Sequence, residues 1–266
     1  MSYDKIVDST ALDTALTDIA DAIRAKTGKT DPLTIERMPS EIESISGGGS
    51  EFERKVTSFI YYPDAPDEEF VAVLPNVTSL RKAFYFNKIG TALKSIDITV
   101  SNKLTDMTQF ARNAYSVNTV ILRGDLSGVT TYRHAFLLGA ISRTLTTVKG
   151  LDFTSATDAT AIFNGQFGLT TLEIKPDTVN ISLPMPDSPL SATSCVNVLN
   201  ALKDRTGQDA LTLTLKATLT NAESGTINVN YVKLDAGTGL YVLCEQTDEG
   251  AMTIADAITA KNWTIA

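Results

Sequence analysis

The chain repeats itself every 25–27 residues, and this period constrains its fold more than any other feature. The segments VTSLRKAF (77–84), LTDMTQFA (104–111), VTTYRHAF (129–136) and ATDATAIF (156–163) start 27, 25 and 27 residues apart. Each opens on an apolar residue followed by Thr, returns to an apolar residue at its fourth position, and closes on a small/aromatic pair. A second block follows each one: LKSIDI (93–98), VNTVIL (117–122), LTTVKG (145–150) and LTTLEI (169–174). First and second blocks start sixteen, thirteen, sixteen and thirteen residues apart. A unit this short cannot bury an apolar face alone. Copies must stack, and the product is a solenoid.

Within a second block, apolar residues two apart, such as Ile96 and Ile98, point to one side of a short strand. Stacking aligns these strands in parallel and predicts one core line through Ile96, Val120, Val148 and Leu172. It also predicts two outward columns: Ser95, Thr119, Thr147 and Thr171, and beside them Asp97, Ile121, Lys149 and Glu173. Hydroxyl-bearing β-branched residues suit an exposed strand face. Extra residues near 87–91 and 138–144 belong in loops on one side. Ahead of the repeats, Val56–Tyr62 and Glu69–Leu74 read as strands separated by a Pro/Asp turn.

The flanks differ in kind. Leu12, Leu16, Ile19, Ala20 and Ile23 recur at helical steps, and Ile35, Met38, Ile42 and Ile45 suggest a second short helix. Gly28-Lys29-Thr30 has the ending of a phosphate-binding loop. Position 23 is Ile where that loop needs Gly, and a helix precedes it rather than a strand. Gly28 therefore reads as a helix stop, as does the later Lys203–Gly207. Ser46-Gly47-Gly48-Gly49-Ser50 is a linker. At the far end, 190–207 reads as a helix with Leu190, Val196, Leu199 and Leu202 inward. Residues 210–219 read as a strand, 227–244 as a hairpin turning at Asp235–Gly239, and 251–266 as a helix ending near Lys261 followed by a strand holding Trp263. The expected fold class is α+β. It comprises a helical module (1–45), the linker (46–50), a parallel β solenoid (51–180) and a C-terminal α/β module (181–266) that closes the open end.

A formal net charge of −8 repels phosphate backbones and argues against nucleic-acid binding. The polar N-terminus lacks the pattern of a secretory signal, and no apolar run is long enough for a membrane span, so synthesis in a cytoplasm is expected, with no membrane partner. Cys195 and Cys244 read as small buried hydrophobes, and a single histidine, His134, gives no basis for a metal site. Asp64, Asp67, Glu68 and Glu69 read as a solvated turn rather than an acid/base pair. No catalytic residue, cofactor or metal is expected.

The repeats NKLTDMTQFARNAYSVNTVIL and LDFTSATDATAIFNGQFGLTTLEI resemble the BspA-like leucine-rich repeats over about residues 70–180. Asn113-Ala114 and Gly165-Gln166 stand where that family often has Gly-Cys. The order IADAIR, KTGK, DPLT and MP-x-x-I over residues 10–45 resembles the N-terminal helical segment of phage tail and baseplate accessory proteins. The ending A-x-x-K-x-W-T-I-A is similar to the closing module of phage and prophage tail-associated proteins. These resemblances imply a leucine-rich-repeat-like solenoid in a virion tail protein: a fibre, receptor-binding or baseplate-peripheral component. Residues 1–45 would join other tail proteins or form a homo-oligomer, a trimer being favoured, and the repeats would face a host receptor. A bacterial surface adhesin with the same repeats is the alternative. Candidate binding residues are the outward Asp97, Thr119, Lys149, Thr171 and Glu173, together with Tyr85, Tyr132 and Arg133 as exposed groups; Tyr61, Tyr62 and Tyr115 are further aromatic candidates.

The helix-stop reading of Gly28-Lys29-Thr30 predicts that ATP and GTP leave the melting temperature of both the parent and Lys29→Ala unchanged in thermal-shift measurements. A nucleotide-dependent rise that Lys29→Ala abolishes would restore the phosphate-loop reading.

Overall fold

The computed structural model describes residues 16–21, 23–24, 68–85, 92–138, 143–215 and 231–266. The chain divides into two compact units, residues 1–55 and 56–266. In the first, residues 16–21 and 23–24 are helical. Ala20 and Ile23 are buried, whereas Ile19, placed on the same stripe by its spacing, is 46% exposed. The second helical piece (35–45), Gly28–Thr30, the linker and the Val56–Tyr62 strand lie outside the described residues.

The second unit opens with a parallel β-solenoid of about five turns. Its strands are β1 (Glu69–Leu74), β2 (Ser95–Val100), β3 (Thr119–Gly124), β4 (Thr147–Leu151) and β5 (Thr171–Ile174), hydrogen-bonded in that order. Ile96, Val120, Val148 and Leu172 share one register line and are fully buried, as the repeat spacing predicts. Each strand begins two residues later than its block, because Leu93, Val117, Leu145 and Leu169 are buried ahead of the strand rather than in it. β1 pairs in parallel with β2 and forms an additional first turn that the repeat alignment does not include. Between β4 and β5 the register slips after Val148, so Leu151 rather than Gly150 meets Ile174. A bulge of this kind places two residues opposite one. It interrupts the outward column between Lys149 and Glu173. Gly150 has φ +83°, and a Cβ there would lie 1.9 Å from the Leu122 carbonyl oxygen, so only glycine fits.

The first blocks build the opposite wall. Parallel bridges link Ser79, Asp106, Thr131 and Asp158. Every second residue donates its N–H to the next turn: Leu80, Lys82 and Phe84 to Asp106, Thr108 and Phe110, and so on along the stack. Thr105, Thr130 and Thr157 each add a hydroxyl bond to the carbonyl of the equivalent Thr one turn earlier, at 3.0–3.2 Å. This accounts for the repeated Thr. Lys82, Gln109, His134 and Ala161 mark one left-handed corner per turn, with φ between 51° and 58°. Between the walls lie Phe84, Phe110, Phe136 and Phe163, all fully buried.

The described residues beyond the solenoid include two three-stranded sheets and two helices. β6 (Leu183–Met185), β7 (Leu211–Leu215) and β11 (Trp263–Ile265) are parallel, in the order β11-β7-β6, with Pro184 on an edge strand where its missing N–H costs nothing. β8 (Tyr231–Leu234), β9 (Tyr241–Cys244) and β10 (Met252–Thr253) pair antiparallel. The helices are α1 (Ala192–Ala201), capped by Ser191, and α2 (Ile254–Ala260), capped by Thr253. α1 ends well before Gly207, so Lys203–Gly207 is a separate turn held by Asp204 and Thr206 rather than the stop of this helix. α1 lies along β5: the Leu172 N–H donates to Ser194 Oγ at 3.0 Å, and Asn197 Nδ2 donates to the Leu172 carbonyl at 3.3 Å. Among the described residues no helix is long and apolar enough to cross a membrane.

Val120 sits mid-stack with no exposed surface. Val120→Asp places an unpaired charge in the shared core at a cost of several kcal/mol. It is expected to abolish the cooperative unfolding transition of the solenoid, followed by circular dichroism. A variant that melts like the parent would show that the core line is not shared.

Candidate functional site

The sequence-derived candidates fall into three places. Asp97, Thr119, Lys149, Thr171 and Glu173 lie on the outward face of the sheet, where alternation along each strand puts them. Thr119 pairs in register with Ser95 and Thr147, and Thr171 with Thr147, all half-buried. Asp97 takes both arms of Arg123, at 2.7 and 2.8 Å from its two oxygens. Arg123 holds the Asp97 carboxyl below its ordinary value, against the opposing effect of burial. The sequence reading missed Arg123, because it lies one step beyond the VNTVIL block that defined the repeat. Lys149 faces Glu173 at 3.9 Å across the bulge. At the first turn this face becomes apolar, with Val71 73% and Val73 57% exposed.

Tyr85 and Arg133 lie instead near the left-handed corner, on the wall opposite the sheet. Arg133 is exposed; Tyr85 is half-buried, with Lys82 Nζ and the Arg112 guanidinium each 5.8 Å from its ring centroid. Tyr115 is also half-buried, and Tyr61 and Tyr62 lie outside the described residues.

Tyr132 was expected to be exposed and is fully buried. It stands in the column of Leu80, Met107 and Ala159, packs on Phe153 at 4.7 Å, and donates its hydroxyl to the Asp152 carbonyl at 2.6 Å. Burial pushes its phenol far above the ordinary range. Its fourth position in the VTTYRHAF block carries the signal, since that position is apolar in every copy. Cys195 is buried as read, its thiol pushed up to about 12 by burial, whereas Cys244 on β9 is only half-buried.

A cleft of about 570 Å³ opens where β3, β4 and β5 end. Leu122, Leu126, Leu151 and Ile174 line it, with Lys175 and Asn197 beside them. Asp152 reaches this cleft with only 5% of its side chain exposed. It accepts from Lys175 Nζ and from the Thr154 amide, both at 2.8 Å. Burial works against the ionised carboxyl, and the Lys175 and Thr154 bonds outweigh it, so its pKa lies below the ordinary value. Asp152 is thus a committed anion. His134 is held below its ordinary value by partial burial, and then by Arg112 and Arg133 against the pull of Asp158. Among the described residues, no group of three or more His, Cys, Asp or Glu side chains is placed to hold a metal ion. No family model, curated protein or solved structure matches this chain.

The depressed pKa of Asp152 means that its contribution to stability is present above the unfolded carboxylate value, about 3.9, and is lost as pH falls through the folded value. Lys175→Met leaves the buried carboxylate with Thr154 as its remaining partner. Urea denaturation at pH 7 should show a loss of roughly 1–3 kcal/mol, shrinking towards the parent below about pH 3.9. Equal stability of the two proteins at pH 7 would show that the pair contributes nothing.

Proposed function

We propose that this chain is a structural protein of a phage tail, a fibre, receptor-binding or baseplate-peripheral component whose repeats present a binding surface. The observation that carries this reading is the order of IADAIR, KTGK, DPLT and MP-x-x-I ahead of a glycine linker and then a repeat array. Residues 1–45 attach the chain to neighbouring tail proteins or join copies of it, most simply three. The array is of the BspA-like leucine-rich type, and its sheet face, with the Asp97–Arg123 and Lys149–Glu173 pairs, meets a host receptor or a subunit. Residues 181–266 act as the closing module. The Leu172 N–H donating to Ser194 and the Leu172 carbonyl accepting from Asn197 support this role, since these bonds occupy main-chain groups that a sixth turn would otherwise use. On this reading the protein is not an enzyme and requires no cofactor. A bacterial surface adhesin would share the array but gives no account of the N-terminal order.

Two measurements test this reading. Immunogold labelling with an antibody to the repeats should decorate the tails of purified particles; label confined to a cell envelope would favour the adhesin. Light scattering should give an oligomer, three chains in mass, for the full chain and a monomer for a chain beginning at Ser50. The same oligomer from both would remove the joining role from residues 1–45.

A further inference from the structure

The left-handed corner differs in charge from the rest of this acidic molecule. Lys82, Gln109, His134 and Ala161 occupy it in successive turns. Arg81, Thr108, Arg133 and Thr160 precede it, and Arg112 follows Gln109 by three residues. Ala161 and Thr160 build the same corner without charge, so the backbone does not require Lys82, Arg81 or Arg133 there. Yet Arg81, Lys82, Arg112 and Arg133 bring one or two cations to each of three successive turns in a chain of net charge −8. Among the described residues none of the four is in an ion pair. Asp106 and Asp158 stand in the neighbouring column, each engaged by its own turn through the amides of Thr108 and Thr160. Arg81, Lys82 and Arg133 are exposed. The pKa of His134 is depressed first by burial and then by Arg112 and Arg133, against a partial offset from Asp158.

We infer that this corner binds an anionic glycan, a linear chain of sugars bearing carboxylate or phosphate groups, laid along the solenoid axis. Successive turns are about 4.8 Å apart. Arg81 and Arg133 share one column two turns apart, about 9.6 Å. This is close to the length of two sugar units in an extended chain, so anionic groups on one face of such a chain keep step with these cations. Charges on one face of an extended peptide recur at about 6.7 Å and fall out of step. Single-stranded nucleic acid gains its grip from open aromatic faces, and the Tyr85 ring already has Lys82 and Arg112 against it. Each exposed charge contributes little alone and is screened by salt, so binding is multivalent and salt-sensitive. The inference deepens, and rests on, the reading of the chain as a surface-recognising appendage.

The test is a titration of the full chain at low salt with polygalacturonate, which bears carboxylates, and with phosphorylated mannan. Neutral dextran, polyglutamate and oligo-dT are compared alongside. Binding of at least one anionic glycan in preference to the other three polymers is expected, and the glycan that wins identifies the anion. Arg81→Gln/Lys82→Gln/Arg133→Gln should weaken binding about tenfold with an unchanged melting temperature, while Lys149→Gln on the sheet face leaves it unaltered. If the triple variant melts early, Arg81→Gln alone is read instead, with a fall of about threefold. Binding of neither anionic glycan, binding that ignores these substitutions, or equal or tighter binding of dextran, polyglutamate or oligo-dT overturns the inference. Failure here leaves the particle-labelling result standing, and absence from particles leaves the titration to be read on its own.

Discussion

The walls of this solenoid take their main-chain hydrogen bonds from the turns beside them, while bonds such as Ala83 N–H to the Leu80 carbonyl close the corners within a turn. Leu80, Lys82 and Phe84 donate forward to Asp106, Thr108 and Phe110, whose turn in turn donates to the next. A single turn would therefore leave backbone groups unpaired as well as a half-exposed core, and neither can be tolerated out of water. Residues are selected by column rather than by neighbourhood in sequence. Thr105, Thr130 and Thr157 share one column because the hydroxyl reaches the carbonyl one turn earlier, and Thr146 and Thr170 do the same beside the sheet. These five bonds contribute about 0.5–1.5 kcal/mol each. The four left-handed corners cost about 1–2 kcal/mol each. The two sums are of similar size, so corners that Lys82 or Ala161 would not adopt alone are sustained by the stack.

The aromatic interior shows how a column tolerates exchange. The closing pairs are Ala83-Phe84, Phe110-Ala111, Ala135-Phe136 and Ile162-Phe163, so the second turn inverts small and large. Packing asks only that each layer be filled. The rings still touch along the stack, at 5.2 Å from Phe84 to Phe110, 6.0 Å to Phe136 and 5.5 Å to Phe163. Where the inversion shifts the ring sideways, contacts are edge-to-face at 76° and 79°; where Phe136 and Phe163 share a column, they stack at 6°. Both are favourable ring geometries.

What was legible followed from periodicity. The register of Ile96, Val120, Val148 and Leu172 is fixed by sequence spacing alone, because a one-residue slip would turn the whole apolar set outward. Tyr132 was misplaced because tyrosine is counted as a surface recognition residue, while its position in the block is a core position. The bulge at Gly150 left no mark in the apolar pattern and resides in main-chain geometry. The corner cations could not be grouped from sequence either. Arg81, Arg112 and Arg133 are separated by 31 and 21 residues, intervals unlike the repeat, since Arg112 lies outside the column that Arg81 and Arg133 share. Only the fold brings them to one edge.

The same column logic explains how a helix can follow a strand in the stack. A parallel strand offers N–H and C=O groups from alternate residues to each side, and at β5 the side facing away from β4 presents Leu172. A helix has no free main-chain groups along its flank, so side chains must meet them, and they must be short enough to keep α1 close. Ser194 accepts from the Leu172 N–H and Asn197 donates to its carbonyl, one helical turn apart. Asn200, a further turn on, repeats the device: its amide accepts from the Tyr241 N–H at 2.7 Å and donates to the Tyr241 carbonyl at 2.9 Å on β9. Ser194, Asn197 and Asn200 therefore form a polar stripe at a spacing of three, while Cys195, Val198 and Leu199 carry the burial. Lys261 closes the helix by donating to the Leu199 and Leu202 carbonyls at 3.0 and 2.6 Å. In a helix read only for its apolar face, such a stripe resembles a solvated side. Its partners are instead strand edges, and it fixes both the rotation and the depth at which α1 sits.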